Sequence, residues 1–574
     1  MAQLTINNLE ISFKSEESQF KAIDHISLQL NKGEIIGLVG ESGSGKSVTS
    51  LAIMRLLEAN AKITGEILFD DKNLLEIPEK EMQQYRGNKI AMIFQEPMTS
   101  LNPLMKCGKQ ITESIILHLK INKKQAKEKT IQLFEEVKLP EPQEVFDEYP
   151  HQISGGQKQR VMIAMALACN PQILIADEPT TALDVTVQKN IIELLKRIRL
   201  ERNMSMIFIS HDLGVIGEIA DKILVMNKGQ IVEQGTAKDI FLNPQHPYTK
   251  GLLACRPNPR LQLKKLPTIS DFTSEKNGQF TTNAITIEDL QQQLKVDDGE
   301  ISQKRKLLYL QPRILKVENL NTWFPKNQSF FGKADNFTKA VNDVSFEVFT
   351  GETFGLVGES GCGKTTLSRT ILKLIEPTSG KIIFNEVDIS NLNEKEMRPL
   401  RKDIQIIFQD PYSSLNPVKT IGEALIEPLV VHKILTNYQE RKDYIINLME
   451  KVGLTAQQFN RYPHEFSGGQ RQRIVIARAL ALKPKLIICD ECVSALDVSV
   501  QAQVINLLKD LQQEFKLTYI FISHDMAVVK HVSDRMMVMN NGQIEEIGYP
   551  EDIYHHPKKA YTQKLINAIP KGIY

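Results

Sequence analysis

The chain has 574 residues, which is too long for a single hydrophobic core, so two or more domains are expected. Its 70 basic and 69 acidic side chains leave a formal net charge of +1, which argues against a nucleic-acid binder that depends on neutralising phosphates. No apolar run approaches the roughly 20 residues that cross a bilayer, and the first residues do not resemble a signal peptide. A globular protein of several domains is the expectation.

The first strong element is the apolar stretch EIIGLVG at residues 34–40, predicted as a buried strand. A glycine-rich loop follows, and residues 46–58 are predicted as the helix behind it. This order matches the phosphate-binding pattern G-x-x-x-x-G-K-[ST], in which backbone N–H groups and the helix N-terminus face the phosphates. The predicted phosphate-binding residues are Gly40, Glu41, Ser42, Gly43, Ser44, Gly45, Lys46 and Ser47. Lys46 is expected to reach the β- and γ-phosphates and Ser47 to bind Mg²⁺.

A second apolar stretch, QILIAD at residues 172–177, ends in two carboxylates, Asp177 and Glu178. We predict a strand that delivers both side chains to one edge of a sheet. Asp177 is expected to hold Mg²⁺ through its water shell, and Glu178 to polarise an attacking water as a general base. The alternative is a pair of solvated turn carboxylates, which the phosphate-binding loop upstream disfavours.

Further buried elements complete the pattern of the first half. Residues 206–210, MIFIS, are predicted as a strand, and residues 186–201 as a helix. Apolar strands that alternate with helices indicate a largely parallel sheet covered by helices. The fold class is therefore α/β.

The second part of the chain repeats the first. Residues 149–188 match residues 462–501, and His211 and His524 keep the same offset. The second phosphate-binding loop consists of Gly358, Glu359, Ser360, Gly361, Cys362, Gly363, Lys364 and Thr365. The two loop lysines lie a few residues farther apart than the rest of the repeat, so we place extra residues within 325–337. Asp490 and Glu491 repeat the carboxylate pair.

The repeat defines two predicted domains, residues 1–265 and 313–574, joined by a linker at 266–312. The linker is polar and lacks sustained apolar periodicity, apart from one short helix predicted at 287–294. We expect the two domains to be related by a pseudo-twofold axis.

The six cysteines are scattered, and only Cys489 and Cys492 have C-x-x-C spacing. A metal centre would need two more ligands, and a redox role would need a thioredoxin-like setting. We therefore predict that both are small buried side chains in a reducing compartment.

The stretches ISGGQ at 153–157 and FSGGQ at 466–470 resemble the signature motif of ATP-binding cassette (ABC) nucleotide-binding domains. The resemblance implies two tandem P-loop NTPase (ABC ATPase) domains, each a largely parallel sheet with helices plus a helical subdomain. In that family the signature caps the γ-phosphate of the ATP held by the facing domain, so Lys46 is expected to work with Ser467 and Lys364 with Ser154. The implied signature residues are Ser154, Gly155, Gly156, Gln157, Ser467, Gly468, Gly469 and Gln470.

Other positions gain roles only from this resemblance. Gln95 and Gln409 resemble the Q-loop glutamine that senses Mg²⁺ and water, and His211 and His524 resemble the switch histidine at the γ-phosphate. Residues 182–184 and 495–497 resemble the D-loop. The implied catalytic residues are Glu178, Glu491, His211, His524, Gln95 and Gln409, and the implied Mg²⁺ ligands are Ser47, Thr365, Gln95, Gln409, Asp177 and Asp490.

Aromatic side chains that stack on adenine are expected about 25 residues before each loop in such domains. Phe13 and Phe324 are the candidates, with Phe20 and Trp323 as rivals.

Three further segments narrow the resemblance: SLNP after each Q-loop glutamine, HPYTKGLL at 246–253 and HPKKAYTQKLI at 556–566. They resemble the peptide/nickel branch of bacterial importers. The resemblance implies an ATP-binding and ATP-hydrolysing subunit that uses Mg²⁺ and drives two separate permeases, fed by an extracytoplasmic binding protein, at the cytoplasmic face of the cell membrane. Peptides are the expected substrates. Only Cys255 follows the first segment, which argues against an iron–sulfur centre.

Two other classes remain open at this point. A soluble tandem ABC ATPase could act on ribosomes or DNA, but the linker is mixed in charge and no C-x-x-C pairs flank it. An export ATPase usually carries its own membrane spans or lacks the SLNP stretch. We expect no nucleic-acid partner, and membrane contact only through permeases.

Overall fold

The computed structural model describes residues 2–14, 19–95, 100–181, 183–276, 279–282, 285–325 and 337–570. Two halves share one architecture, each with a four-stranded antiparallel sheet and a six-stranded, mainly parallel sheet. The extra residues predicted within 325–337 fall largely outside the described residues.

Among the residues that the structure describes, the first half contains ten strands. They are β1 (Ala2–Lys14), β2 (Gln19–Asn31), β3 (Ile35–Val39), β4 (Ala61–Phe69), β5 (Lys72–Asn73), β6 (Ile90–Ile93), β7 (Ile173–Asp177), β8 (Ser205–Ile209), β9 (Lys222–Asn227) and β10 (Gln230–Thr236). The antiparallel sheet has the order β2-β1-β4-β5, and the six-stranded sheet has the order β10-β9-β3-β8-β7-β6. The strands predicted at 34–40, 172–177 and 206–210 are confirmed as β3, β7 and β8.

The described part of the first half also contains ten α-helices. They are α1 (Lys46–Ile53), α2 (Glu79–Tyr85), α3 (Cys107–Leu119), α4 (Lys123–Glu136), α5 (Pro142–Asp147), α6 (Gly155–Leu167), α7 (Val185–Arg202), α8 (Leu213–Ile219), α9 (Ala237–Leu242) and α10 (Pro247–Ala254), with a 3₁₀ turn at Pro150–Gln152. α1 is shorter than the helix predicted over 46–58, because Met54 caps it and Arg55 adopts a left-handed φ of 50°.

The second half repeats these elements. Its strands are β13 (Arg313–Pro325), β14 (Phe337–Phe349), β15 (Thr353–Val357), β16 (Ser379–Phe384), β17 (Val387–Asp388), β18 (Ile404–Ile407), β19 (Leu486–Asp490), β20 (Thr518–Ser523), β21 (Arg535–Asn540) and β22 (Gln543–Gly548). Its helices are α14 (Lys364–Ile371), α15 (Glu394–Leu400), α16 (Ile421–Val431), α17 (Tyr438–Lys451), α18 (Gly468–Leu480), α19 (Val498–Phe515), α20 (Met526–Val532), α21 (Pro550–His555) and α22 (Ala560–Ala568). Two 3₁₀ turns lie at Ala456–Asn460 and Pro463–Glu465. The sheet order β22-β21-β15-β20-β19-β18 reproduces that of the first half.

Between the halves the chain forms a two-stranded ribbon and three helices. They are α11 (Ile269–Phe272), β11 (Thr273–Lys276), β12 (Gln279–Thr282), α12 (Ile287–Leu294) and α13 (Asp298–Leu308). The helix predicted at 287–294 is confirmed as α12. α13 was not predicted: Lys304 pairs with Asp534, and Arg305 lies 4.0 Å from the ring centroid of Tyr549. Local apolar periodicity cannot predict a helix that is held by contacts with the second half.

The central strands explain where a site can form. All residues of β3, β7 and β8 are buried, as expected for parallel strands covered on both faces. The carboxyl ends of parallel strands lie at one edge, and ligands bind outside that edge. The residues that follow β3, β7 and β8 therefore lie next to one another at this edge, where a ligand site can form. Among the described residues, no helix is both long and apolar enough to span a membrane.

Candidate nucleotide-binding sites

Each phosphate-binding loop encloses its own lysine. Lys46 Nζ donates to the carbonyl oxygens of Gly40 at 2.7 Å and Glu41 at 2.8 Å. Lys364 Nζ makes the matching bonds at 2.8 and 2.9 Å. Burial lowers the pKa of Lys46, although nearby carboxylates, Asp497 first among them, oppose that effect. A buried ammonium at the mouth of a loop of backbone amides suits a phosphate anion.

The glycine before each lysine is required by space and by backbone conformation. Gly45 has a φ of 104° and Gly363 a φ of 107°. A Cβ at Gly45 would lie 2.5 Å from Ile23 Cδ1, and a Cβ at Gly363 would lie 2.1 Å from the carbonyl oxygen of Ala340. Because the loop packs this closely against β2 or β14, only glycine fits.

Behind each loop lies a hydroxyl–carboxylate pair. Ser47 Oγ donates to Asp177 Oδ1 at 3.3 Å, and Thr365 Oγ1 donates to Asp490 Oδ1 at 3.4 Å. Burial raises the pKa of Asp177 to about 6 and also raises the pKa of Asp490. A buried carboxylate without a full counter-charge is costly, and an all-oxygen donor set is the kind that Mg²⁺ prefers. The residues present therefore fit this ion.

The next carboxylate in the first half is held by three side chains. Glu178 Oε2 accepts from Gln95 Nε2 at 3.1 Å and from Thr181 Oγ1 at 2.8 Å, and lies 3.2 Å from His211 Nδ1. Burial alone would raise the pKa of Glu178, but the hydrogen bond and charge of His211 outweigh it and lower the pKa to about 2. The carboxylate therefore stays ionised, as a general base must.

In the second half a glutamine and a histidine again contact the carboxylate and a lysine lies near it, whereas Ser494 Oγ donates to the backbone carbonyl of Glu491 instead of to its carboxylate. Glu491 Oε2 accepts from Gln409 Nε2 at 3.0 Å and lies 3.5 Å from His524 Nδ1, and its other oxygen lies 3.8 Å from Lys364 Nζ. Burial opposes ionisation here too, but His524 outweighs it and the pKa of Glu491 is lowered.

Each signature stretch begins a helix. Ser154 caps α6 by accepting from the Gln157 amide at 3.3 Å, while the Ser154 amide donates to the Gln157 side chain at 2.8 Å. Ser467 and Gln470 form the same capping box on α18. A Cβ built on Gly155 or Gly468 would meet nothing within 4 Å, so there is open space beside these helix starts.

The halves meet at the D-loops. Asp497 Oδ2 accepts from the backbone amide of Ser42, in the opposite half, at 2.8 Å. Asp184 lines a cavity of about 190 Å³ over the second loop, beside Ser360, Glu491 and His524. Ser154 is not among the described residues that line this cavity, so the pairing of Lys364 with Ser154 stays a prediction. Ala182 of the first D-loop lies outside the described residues.

The aromatic candidates lie on hairpins that border the loops. Phe13 is half-buried on β1 and pairs across the sheet with Phe20, which is 64% exposed. Phe324 is 42% exposed on β13, and Trp323 lies beneath the ammonium of Lys339 at 4.7 Å. No contact selects among them, so adenine stacking stays a prediction.

Two site residues were missed. The hydroxyls of Tyr248 and Tyr561 each accept from a loop amide, that of Glu41 or Glu359, at 3.0 Å. The available signal was the Tyr-Thr pair that recurs in both C-terminal segments. All six cysteines are buried, so Cys489 and Cys492 are confirmed as buried side chains.

Comparison with known families accounts for most of the chain. The family described as "ABC transporter" matches residues 23–181 and 341–494. The family described as "Oligopeptide/dipeptide transporter, C-terminal region" matches residues 232–277 and 546–572. These matches confirm two ABC ATPase domains in one chain.

Relatives match along the whole chain. The "Glutathione import ATP-binding protein GsiA" of Escherichia coli (strain K12) is 48% identical over 578 aligned residues, covering 99% of this chain and 89% of that protein. The protein of the same name from Pectobacterium atrosepticum is 46% identical over 573 aligned residues, covering 98% and 89%. The chain therefore belongs to the ABC transporter family, as an ATP-binding and ATP-hydrolysing subunit with two fused nucleotide-binding domains.

Proposed function

We propose that this protein energises the import of short peptides, glutathione among them, through ATP-driven closure of its two halves on separate permeases. Glutathione is itself a short peptide, and the similarity to glutathione importers and to the oligopeptide/dipeptide C-terminal region supports this substrate class. The observation that carries the mechanism is the hydrogen bond from the Ser42 amide to Asp497, because it places a D-loop of one half on the phosphate-binding loop of the other.

Each ATP would lie between a loop and the opposite signature. Lys46 with the amides of residues 40–47, and Lys364 with those of residues 358–365, would hold the phosphates. Ser467 and Ser154, with their following glycines, would cap the γ-phosphate from across the interface. Phe13 and Phe324 would stack on adenine.

The metal ligands follow from the oxygen-rich pairs behind the loops. Mg²⁺ would be held by Ser47, Asp177 and Gln95 in one site and by Thr365, Asp490 and Gln409 in the other, and it would neutralise charge on the phosphate oxygens. Each half would thus provide the lysine and the metal ligands of its own site, and the opposite half would supply only the signature and the D-loop.

Hydrolysis would use the two ionised glutamates. Glu178 accepts the proton of the attacking water, and Gln95 and Thr181 fix the carboxylate through hydrogen bonds. His211 lies against the same carboxylate and would contact the γ-phosphate. Glu491, Gln409 and His524 repeat these roles.

The partners complete the transporter. Two multi-span permeases, supplied by an extracytoplasmic binding protein, would dock between the Q-loop and the signature of each half, in residues 95–150 and 409–460. The chain would then lie at the cytoplasmic face of the cell membrane.

Single substitutions test whether both sites hydrolyse ATP. We expect Glu178→Gln and Glu491→Gln each to lower steady-state ATPase activity by about half or more, and the double variant to lower it by at least tenfold, because a general base contributes about 10² to 10⁴ in rate at each site. Activity left untouched by one substitution and abolished by the other would show a single working site.

Isolation from membranes tests the importer assignment. Affinity purification of the full chain from detergent-solubilised membranes is expected to recover two multi-span permeases, and uptake of labelled glutathione should stop in the Glu178→Gln, Glu491→Gln double variant. Recovery of ribosomal protein or DNA in their place would support the soluble tandem ATPase instead.

A further inference from the structure

The two C-terminal helices α10 and α22 hold the phosphate-binding loops from behind. Tyr248 is the second residue of α10 and is 3% exposed, and its hydroxyl accepts a hydrogen bond from the Glu41 amide at 3.0 Å. Tyr561 on α22 accepts the Glu359 amide at the same distance. Burial raises the pKa of both phenols, so both remain neutral acceptors. The contact occurs in both halves although the surrounding helix sequences differ.

The amide that each tyrosine holds belongs to a central loop residue. The carbonyl oxygen of Glu41 accepts Lys46 Nζ at 2.8 Å, and its carboxylate accepts Ser499 Oγ of the second half. The carbonyl oxygen of Glu359 accepts Lys364 Nζ at 2.9 Å. The amide of Glu41 shares its peptide group with the carbonyl of Gly40, which accepts Lys46 Nζ at 2.7 Å. The amide of Glu359 shares its peptide group with the carbonyl of Gly358, which accepts Lys364 Nζ at 2.8 Å. Fixing either amide therefore fixes a peptide group that orients the phosphate-binding lysine.

The same helices also pack against the opposite half. α10 packs on α19, and Cys255, directly after α10, belongs to the hydrophobic core of the second half. α22 packs on α7, where Lys189 Nζ donates to the carbonyl oxygen of Asn567 at 3.0 Å. α7 and α19 are the helices that follow the D-loop aspartates Asp184 and Asp497.

The first loop is bonded from both halves, by elements that also pack on each other. Tyr248 holds the Glu41 amide from its own half, and Asp497 holds the Ser42 amide from the other half. The two holding elements, α10 and α19, pack on each other. The loop therefore cannot shift without moving a helix pair that spans both halves. At the second loop Tyr561 holds the Glu359 amide, α22 packs on α7, and Asp184, just before α7, lines the cavity over the loop.

We infer that Tyr248 and Tyr561 are positioning residues for ATP binding, and that each C-terminal helix links the phosphate-binding loop of its own half to the D-loop helix of the other. This rests on the proposed function of the loops as ATP sites. It gives the oligopeptide/dipeptide C-terminal region a physical role: the region connects the two ATP sites.

Removal of one hydroxyl tests the positioning role. Tyr248→Phe and Tyr561→Phe are expected to weaken ATP affinity about threefold to tenfold each, as the loss of one hydrogen bond implies, with kcat within about twofold of wild type and the thermal midpoint unchanged. ATP affinity is measured by equilibrium dialysis of the full chain and KM by steady-state hydrolysis. Tyr444→Phe is the matched control, because its hydroxyl bonds the Ala481 carbonyl far from both loops. Affinities equal to that of the control would overturn the inference, as would a loss of affinity only in step with a lower thermal midpoint.

A double-mutant cycle tests the link between halves. Lys189→Met removes the bond between α7 and α22, so its effect on ATP affinity should depend on whether Tyr561 is intact, and the combined change should differ from the product of the single changes. A strictly multiplicative result overturns the link. If the tyrosine variants behave as expected but no permease co-purifies, the importer proposal fails and this inference stands. If permeases co-purify but the tyrosine variants bind ATP as the control does, this inference fails and the importer proposal stands.

Discussion

At the scale of the residue, the pKa values of the neighbouring carboxyls of Asp177 and Glu178 are shifted in opposite directions. Burial raises the pKa of Asp177 to about 6, whereas His211 overcomes burial and lowers the pKa of Glu178 to about 2. Glu178 also adopts a left-handed φ of 48°, and Glu491 one of 50°. Strain of this kind costs on the order of 1 kcal/mol or more and is concentrated at functional sites. Both glutamates lie against a histidine, Glu178 Oε2 at 3.2 Å from His211 Nδ1 and Glu491 Oε2 at 3.5 Å from His524 Nδ1.

A buried carboxylate outside the sites gives a pH prediction. Glu352 is fully buried, and burial raises its pKa to about 7 from an ordinary value of 4.5, although the Phe349 amide and Arg535 oppose the shift. The folded state thus binds this proton more tightly than the unfolded state. The resulting stabilisation is full below pH 4.5 and is lost as the pH rises to about 7.

We expect Glu352→Gln to remove this pH dependence. Wild-type stability should fall by about 3 kcal/mol more than that of the variant between pH 4.5 and 7, measured by urea unfolding of the full chain. Glu34→Gln is the control, because Glu34 accepts the matching amide, that of Asn31, in the first half. An unchanged pH slope in Glu352→Gln would contradict the assignment.

At the scale of the element, the signature helices α6 and α18 combine structure with chemistry. The same serine that caps the helix is predicted to cap the γ-phosphate of the opposite site. Ordinary helix starts need only the first role, so a local reading cannot separate the two. A substitution that keeps the helix cap but removes the hydroxyl can separate the two roles.

Ser154→Asn separates capping from catalysis. Asparagine is a good N-cap, so the thermal midpoint should be kept, whereas Ser154→Ala should lose about 1 kcal/mol of stability. Both variants should lose about half or more of the ATPase activity, because each removes the hydroxyl that we predict to face developing charge in one of the two sites. Thr236→Ala, which removes the cap of the remote helix α9, should lower stability and spare activity. Full activity in Ser154→Asn would contradict the signature role.

At the scale of the whole molecule, the two halves are joined by more than the linker. Arg256 donates to the Pro570 carbonyl at 2.7 Å, and the D-loops reach the opposite phosphate-binding loops. The tether keeps the effective concentration of the partner domain high. On the proposed function, ATP would only have to complete the contacts between loop and signature.

ATP-driven closure predicts a change in overall size. With hydrolysis slowed by Glu178→Gln and Glu491→Gln together, MgATP should reduce the radius of gyration in small-angle X-ray scattering, because two signatures are drawn onto two bound phosphates. The matched Lys46→Ala, Lys364→Ala variant should show no such change. An identical radius with and without ATP in the hydrolysis-deficient variant would argue against closure.

Most of the chemistry could be predicted because it lies in short contiguous motifs. The loop around Lys46, the strand that ends at Asp177 and the turn after β8 each combine a buried strand with polar residues at its end, and both properties are visible in the local pattern. The boundary of α1 could not be predicted this way, because the left-handed turn at Arg55 ends a helix that the apolar periodicity of residues 46–58 would continue.

The sequence by itself determined the fold class, the duplication and the residue types of both candidate sites, since periodicity and motif spacing are properties of the chain. Only the tertiary structure decided how the sites are held. Tyr248 lies 207 residues from the Glu41 amide that it accepts, and Asp497 lies 455 residues from Ser42. Such contacts depend on how sheets and helices pack in space, and a local sequence pattern cannot predict which distant side chain will bond the loop.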